Sequence, residues 1–176
     1  KLNNYSGWLT FLIALIVYSI TVEDTASFWD AGEFIAVSNK LEVPHPPGAP
    51  FYLLLGRFFS LFAFGNLEKI ALAINFLSVL SSAFTILFLF WTITHLTSKI
   101  IKTDNLNNTI LVILSGFTGA LSFTFTDSFW FSAVEGEVYA MSSFFTAVVF
   151  WAILKWDLEV FRAASYSLIA TLVRII

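Results

Sequence analysis

Phe51-Tyr-Leu-Leu-Leu-Gly-Arg-Phe-Phe-Ser-Leu-Phe-Ala-Phe64 decides how this chain is arranged. As a helix the run is about 21 Å long, short of the roughly 30 Å of hydrocarbon in a bilayer. Arg57 stands at its centre. Apolar runs of this length are more often interfacial or re-entrant than spanning. We read 51–64 as an amphipathic helix lying at a membrane surface. The competing reading is a short, tilted span.

On either side the chain is built for lipid. Only 12% of its residues are charged and 58% are hydrophobic, whereas soluble domains carry about 25% charge. The apolar residues fall in long blocks, which predicts an all-α, polytopic membrane helix bundle. Spans are expected at about 8–22, 69–97, 109–126 and 139–154. Residues 163–176 read as the start of a further span. The first block has no small-residue cleavage site after it and reads as a retained span. The prolines Pro44, Pro46, Pro47 and Pro50 forbid a continuous helix through that part of the first polar segment, 23–50. We expect one N-terminal membrane domain over 1–176. A net charge of −3 gives no hint of nucleic-acid binding, and the lack of cysteine removes thiolate chemistry and Cys-based metal sites.

With 51–64 on the surface, four spans put the amino terminus inside. Lys1, Lys99, Lys102, Lys155 and Arg162 then face the cytoplasm, against Lys40, Arg57 and Lys69 outside. Both acidic segments, 23–50 and 127–138, fall on the outer face. If 51–64 spans instead, they land on opposite faces, and a flipped amino terminus satisfies the charge count as well.

Asp30 and Glu33 share one face of any helical turn. A carboxylate seated at the interface can be desolvated, which raises its pKa and suits it to general-base work; a solvated acidic turn has the same spacing. His45, between Pro44 and Pro46, is either a proton shuttle or phosphate or sugar ligand, or a turn histidine. Arg57 is an anion contact or a snorkelling anchor. Asp127, Glu135, Glu137 and Tyr139 form the second candidate group. On a helix Glu135 and Glu137 would diverge. Glu137, near the start of the next span, is also favoured there by the helix dipole. Aromatics with acids suit a sugar site and equally an interfacial belt. No metal is predicted, because His95, the other histidine, lies at the far end of a span.

Three motifs in order carry a resemblance: Thr25-Ala-Ser-Phe-Trp-Asp-Ala-Gly-Glu-Phe-Ile35; His45-Pro-Pro-Gly-Ala-Pro50 with Leu55-Gly-Arg-Phe-Phe-Ser-Leu-Phe62; and Phe129-Trp-Phe-Ser-Ala-Val-Glu-Gly-Glu-Val-Tyr-Ala-Met141. Over about residues 5–157 the chain resembles a large family of multi-pass proteins of Bacteroidetes-type bacteria. That family is similar to the transmembrane protein O-mannosyltransferases of the GT-C glycosyltransferase class. The resemblance implies a GT-C-like bundle whose first outer loop carries an acidic motif and short surface helices. It implies an inverting transferase in the bacterial inner membrane, with its active face periplasmic. The donor would be a lipid-linked sugar, polyprenyl-phosphate mannose. The acceptor would be Ser or Thr of an exported protein. Asp30 would be the base and Glu33 its assistant. His45 and Arg57 would lie near the donor phosphate, and Glu135 and Glu137 would line the other wall. Family members are several times longer, so this piece alone is expected to be inactive. A transporter, or a structural subunit of an envelope complex, are the rival readings; the near absence of charge inside the predicted spans speaks against an ion relay.

Overall fold

The computed structural model describes the backbone of residues 1–175 and the side chains of residues 1–156. Among these residues there are seven α-helices and no strand. They are α1 (Leu2–Ile20), α2 (Ala31–Lys40), α3 (Pro50–Ser60), α4 (Ile70–Ile100), α5 (Leu106–Thr124), α6 (Asp127–Val134) and α7 (Val138–Ile175). The chain is a helical membrane bundle. Among the described residues three helical stretches are long and apolar enough to cross a bilayer, Leu67–Ile100, Leu106–Thr124 and Val138–Trp156, and α1, which covers the expected first span, is not one of them. The further span expected from 163 lies outside the residues whose side chains are described.

Helix α4 is the axis of the bundle: 61% of its most apolar window is buried, against 22% and 11% for α5 and α7. Small residues let the neighbours close on it. A β-carbon on Gly116 of α5 would sit 2.5 Å from Thr94 and 2.8 Å from Phe90, so only glycine permits that approach. Helix α1 begins at Leu2, earlier than the expected 8, with Asn3 and Asn4 in its polar first turn. It lays Thr10, Phe11, Ala14 and Tyr18, one stripe at helical spacing, into the interior. That core joins Phe11, Ala14 and Tyr18 to Val79, Ile86 and Phe90 of α4 and to Phe129 and Ala133 of α6. The Tyr18 hydroxyl donates to the Thr124 carbonyl at 2.9 Å, pinning the ends of α1 and α5 together.

The segment 51–64 is not one helix. Helix α3 starts at Pro50, a residue suited to a first helical turn because it has no N–H to lose. It runs 11 residues, about 16 Å, and tightens into a 3₁₀ turn at Leu61–Ala63. Phe64 and Gly65, both at positive φ, end it. Tyr52, Leu53, Gly56 and Ser60 face inward, while Phe51, Leu54, Phe58, Leu61 and Phe62 stay exposed. A short helix with an apolar outer stripe is the pattern of a lipid-facing surface element. A second core of Phe34, Val37, Tyr52, Leu53, Leu77 and Met141 ties α2 and α3 to α4 and α7. That core is the floor under the acidic segment.

Candidate functional site

The two polar segments meet at one end of the bundle. The Glu23 N–H donates to the Val134 carbonyl at 2.9 Å. Asn75, fully buried in α4, donates its side-chain amide to the carbonyls of Glu23 (2.7 Å) and Thr25 (3.0 Å). The Ser27 hydroxyl donates to the Glu135 carboxylate. These contacts fold residues 23–30 back over the α6–α7 junction and make two facing acidic walls.

The first wall is built at the start of α2. Asp30 is the N-cap residue and Glu33 lies in the first turn, so the helix dipole favours both carboxylates. Trp29, just before them, has φ 63° and is exposed; a bulky side chain in the left-handed region is a strained backbone held by its surroundings. The His45 main-chain N–H donates to Glu33 at 2.7 Å, and its Nδ1 lies 2.8 Å from the other Glu33 oxygen. With Glu33 ionised, Nδ1 therefore carries a proton. His45 Nε2 then faces Asp30 at 3.9 Å. The hydrogen bonds from His45 hold Glu33 below the usual carboxylate range, and Glu33 in turn raises His45. The prolines set this up: Gly48 N–H closes a turn onto the His45 carbonyl at 3.0 Å, with Pro46 and Pro47 between them, and Phe34 packs on the imidazole ring. The acceptor atoms of Asp30, Glu33 and His45 lie within 4.8 Å of one another. A hard divalent cation could take the place of the shared proton among them.

The second wall differs from its expected form. Segment 127–138 is largely helical, as α6, and chain direction changes between α6 and α7. Glu135 adopts an extended conformation, so Glu135 and Glu137 do not diverge as they would on a helix. Both are buried, at 2% and 6% exposure. Burial pushes both carboxyls up, with the neighbouring carboxylates adding to the effect at Glu137. The desolvation expected at the first acidic turn is thus found here. Gly136 makes the close approach possible, because a β-carbon there would meet Asn75 Oδ1 at 2.6 Å.

Two clefts open between the walls. A polar one of about 210 Å³ is lined by Trp29, Asp30, Ser132, Glu135, Glu137 and Tyr139. A larger one of about 490 Å³ runs from Asp30 and His45 to the apolar side chains of Phe51, Met141 and Phe145. Asp30 and Tyr139 border both. Two expected site residues lie elsewhere. Arg57 spends its guanidinium on the Asn39 carbonyl (2.7 Å) and side chain (3.0 Å), at the opposite end of α2 from Asp30. Asp127 is exposed at the start of α6 and lines neither cleft.

Residues 30–175, from Asp30 of the first wall through both clefts, match the family model described as "Protein O-mannosyl-transferase TMEM260 N-terminal domain". The chain belongs to the TMEM260 family. A protein O-mannosyl-transferase tmem260 from Dictyostelium discoideum is 32% identical over 141 residues, which are 80% of this chain and 16% of that protein. The mouse protein O-mannosyl-transferase TMEM260 is 26% identical over 163 residues, 92% of this chain and 21% of its own length. The chain therefore spans about a fifth or less of the relatives it matches. No solved structure matches it. Ser27, just before the matched region, and Asn75 within it join the walls, and neither is among the residues the sequence singles out. The signal for Asn75 was present: an amide inside an apolar run, Ile70-Ala-Leu-Ala-Ile-Asn-Phe-Leu77, needs a partner. Ser27 carried none.

Proposed function

We propose that this chain forms the N-terminal membrane part of a protein O-mannosyltransferase. Its substrates would be polyprenyl-phosphate mannose and a Ser or Thr hydroxyl of an exported protein, met on the face away from the cytosol. One observation carries the reading: Asp30 borders both an acid-lined pocket and a cleft with apolar walls. A lipid-linked sugar has the same division, with hydroxyls at one end and a prenyl chain at the other. Glu135, Glu137 and Trp29 suit the sugar, the carboxylates accepting hydroxyl hydrogen bonds and the indole offering a flat apolar face. Phe51, Met141 and Phe145 suit the first prenyl units.

In the proposed inverting, GT-C-type step the acceptor oxygen bonds to the anomeric carbon. The bond from that carbon to the phosphate oxygen breaks, and its electron pair leaves with the phosphate. The hydroxyl proton passes to the Asp30 carboxylate. His45, oriented by Glu33 and charged over a wider pH range than a free histidine, offsets charge on the departing phosphate. Arg57, tied to Asn39, acts on the shape of the site by holding α2 against α3.

The test is Asp30→Asn in a polypeptide of the relatives' full length that carries this segment, assayed in membranes for mannose transfer. A lost general base lowers the rate by about 100-fold or more, with insertion unchanged. Transfer at the unsubstituted rate would overturn the assignment.

A further inference from the structure

The end of the bundle opposite the acidic clefts holds a cavity of about 690 Å³. It is enclosed by the first turn of α1, the last turns of α4, the α4–α5 loop and α7. Lys1, Asn3, Trp91, His95, Trp151 and Lys155 supply its functional groups. Among the described residues no acidic side chain lines it, although Asp104 follows Thr103 in the chain.

Among its lining residues, His95 Nε2, Asn3 Oδ1 and Trp91 Nε1 are buried without a hydrogen-bond partner, the indole N–H packed against Gly7. The hydroxyls of Thr94, Ser98 and Thr109 already donate to main-chain carbonyls, so they have only lone pairs left to offer. The charged donors at the cavity are the ammonium groups of Lys1 and Lys155. Lys155 sits 5.9 Å over the Trp151 ring, which holds the cation at the cavity instead of leaving it in water. Two lysines bordering one space, one of them held over an indole ring, match an anionic phosphate. Basic pockets between membrane helices, where those helices leave the bilayer, take phosphate headgroups for this reason.

We propose that this cavity binds an anionic phosphate, on the opposite side of the membrane from the acidic clefts. The phosphate comes from a lipid headgroup or from solution. Lys1 and Lys155 supply the charge and the charge-assisted hydrogen bonds. The site is independent of the transferase reading, since it shares no residue with either cleft.

The experiment uses the chain in nanodiscs and follows tryptophan fluorescence, because Trp91 and Trp151 line the site. In one arm phosphatidylglycerol is added to phosphatidylcholine discs; in the other, inorganic phosphate is titrated into pure phosphatidylcholine discs. A saturable change in the first arm alone identifies a lipid, and in the second a soluble phosphate. Lys155→Ala weakens whichever is bound by roughly tenfold, the loss of one charge-assisted contact, and added salt weakens binding to the unsubstituted chain. Lys40→Ala, an exposed cation at the acidic end, leaves binding unchanged. Saturation in neither arm, or equal loss in Lys40→Ala and Lys155→Ala, overturns the proposal. Helical circular dichroism of Lys155→Ala separates lost binding from lost fold.

Discussion

Asp30 and Glu33 stand largely in solvent, with side chains 54% and 37% exposed, while Glu135 and Glu137 across the cleft are 2% and 6% exposed. The residue types are the same and the environments opposite. Glu33 sits at a helix N-terminus and accepts hydrogen bonds from His45, so its charge is favoured. The second pair sits over a buried amide and an apolar core, so its charge is opposed. Environment, more than composition, divides the work between carboxylates in one site. The ionised form is favoured at Glu33 and opposed at Glu135 and Glu137.

The contrast exists only while the walls are held face to face, and Asn75 is the joint. Its amide satisfies two carbonyls of the first polar segment, and its oxygen lies under Gly136 of the second. Asn75→Ala leaves the Glu23 and Thr25 carbonyls without those donors, at about 0.5–1.5 kcal/mol for each part-buried bond lost. Thermal unfolding in detergent should show a loss of about 1–3 kcal/mol. Hydrogen exchange should rise in 23–30 and at the α6–α7 junction together, with α4 and α5 unaffected further along. Exchange rising in only one of the two segments would mean that they are not coupled through this residue.

That joint also marks where sequence stops being informative. The long apolar blocks declare themselves, because only helices satisfy their own backbone in lipid. The Asp30 and Glu33 pair is legible because its members are one helical turn apart, whereas the turn that brings His45 back onto Glu33 is seen only in the fold. The second wall is not. Glu135 and Glu137 read as diverging when the segment is treated as running into a helix, and the break between α6 and α7 depends on Gly136 fitting against Asn75, some sixty residues away. Arg57 misleads for a similar reason. A cation in an apolar run needs an anion or a carbonyl, and sequence does not say that the end of α2 supplies the carbonyl.

A smaller effect sharpens the difference within the second wall. Burial raises Glu135, so its ionised form weighs against the fold, and stability falls as pH rises from the ordinary carboxylate range through the raised value. Glu135→Gln keeps an oxygen to accept from Ser27 and removes the charge. Near neutral pH it should raise stability by on the order of 1 kcal/mol, while mannose transfer by the longer polypeptide falls. A stabilised variant with reduced transfer is the signature of a residue kept for function against the preference of the fold. A destabilised one would show that the carboxylate's bond to Ser27 outweighs its desolvation.

The smallest effect belongs to the exposed wall, and its sign follows from the pair of shifts. His45 is raised, so its share of the ion pair is fully present below the ordinary histidine value of about 6.5 and is lost as pH climbs through the raised one. Glu33 is lowered, so its share is present above the ordinary value of about 4.3 and is lost as pH falls through the lowered one. The turn at 45–48 should therefore be held most firmly between about pH 4.3 and 6.5, and loosen on both sides of that window. Limited proteolysis of the segment between Leu41 and Pro50 across this range reads the opening directly. Glu33→Gln should flatten the profile on both flanks, because the amide cannot pair with an imidazolium. Asp30→Asn, whose carboxylate lies 3.9 Å from the ring, should leave most of it in place. A profile equally flattened by Asp30→Asn would shift the anchor of His45 from Glu33 to Asp30, and the first wall would then hold no carboxylate at liberty to accept a proton.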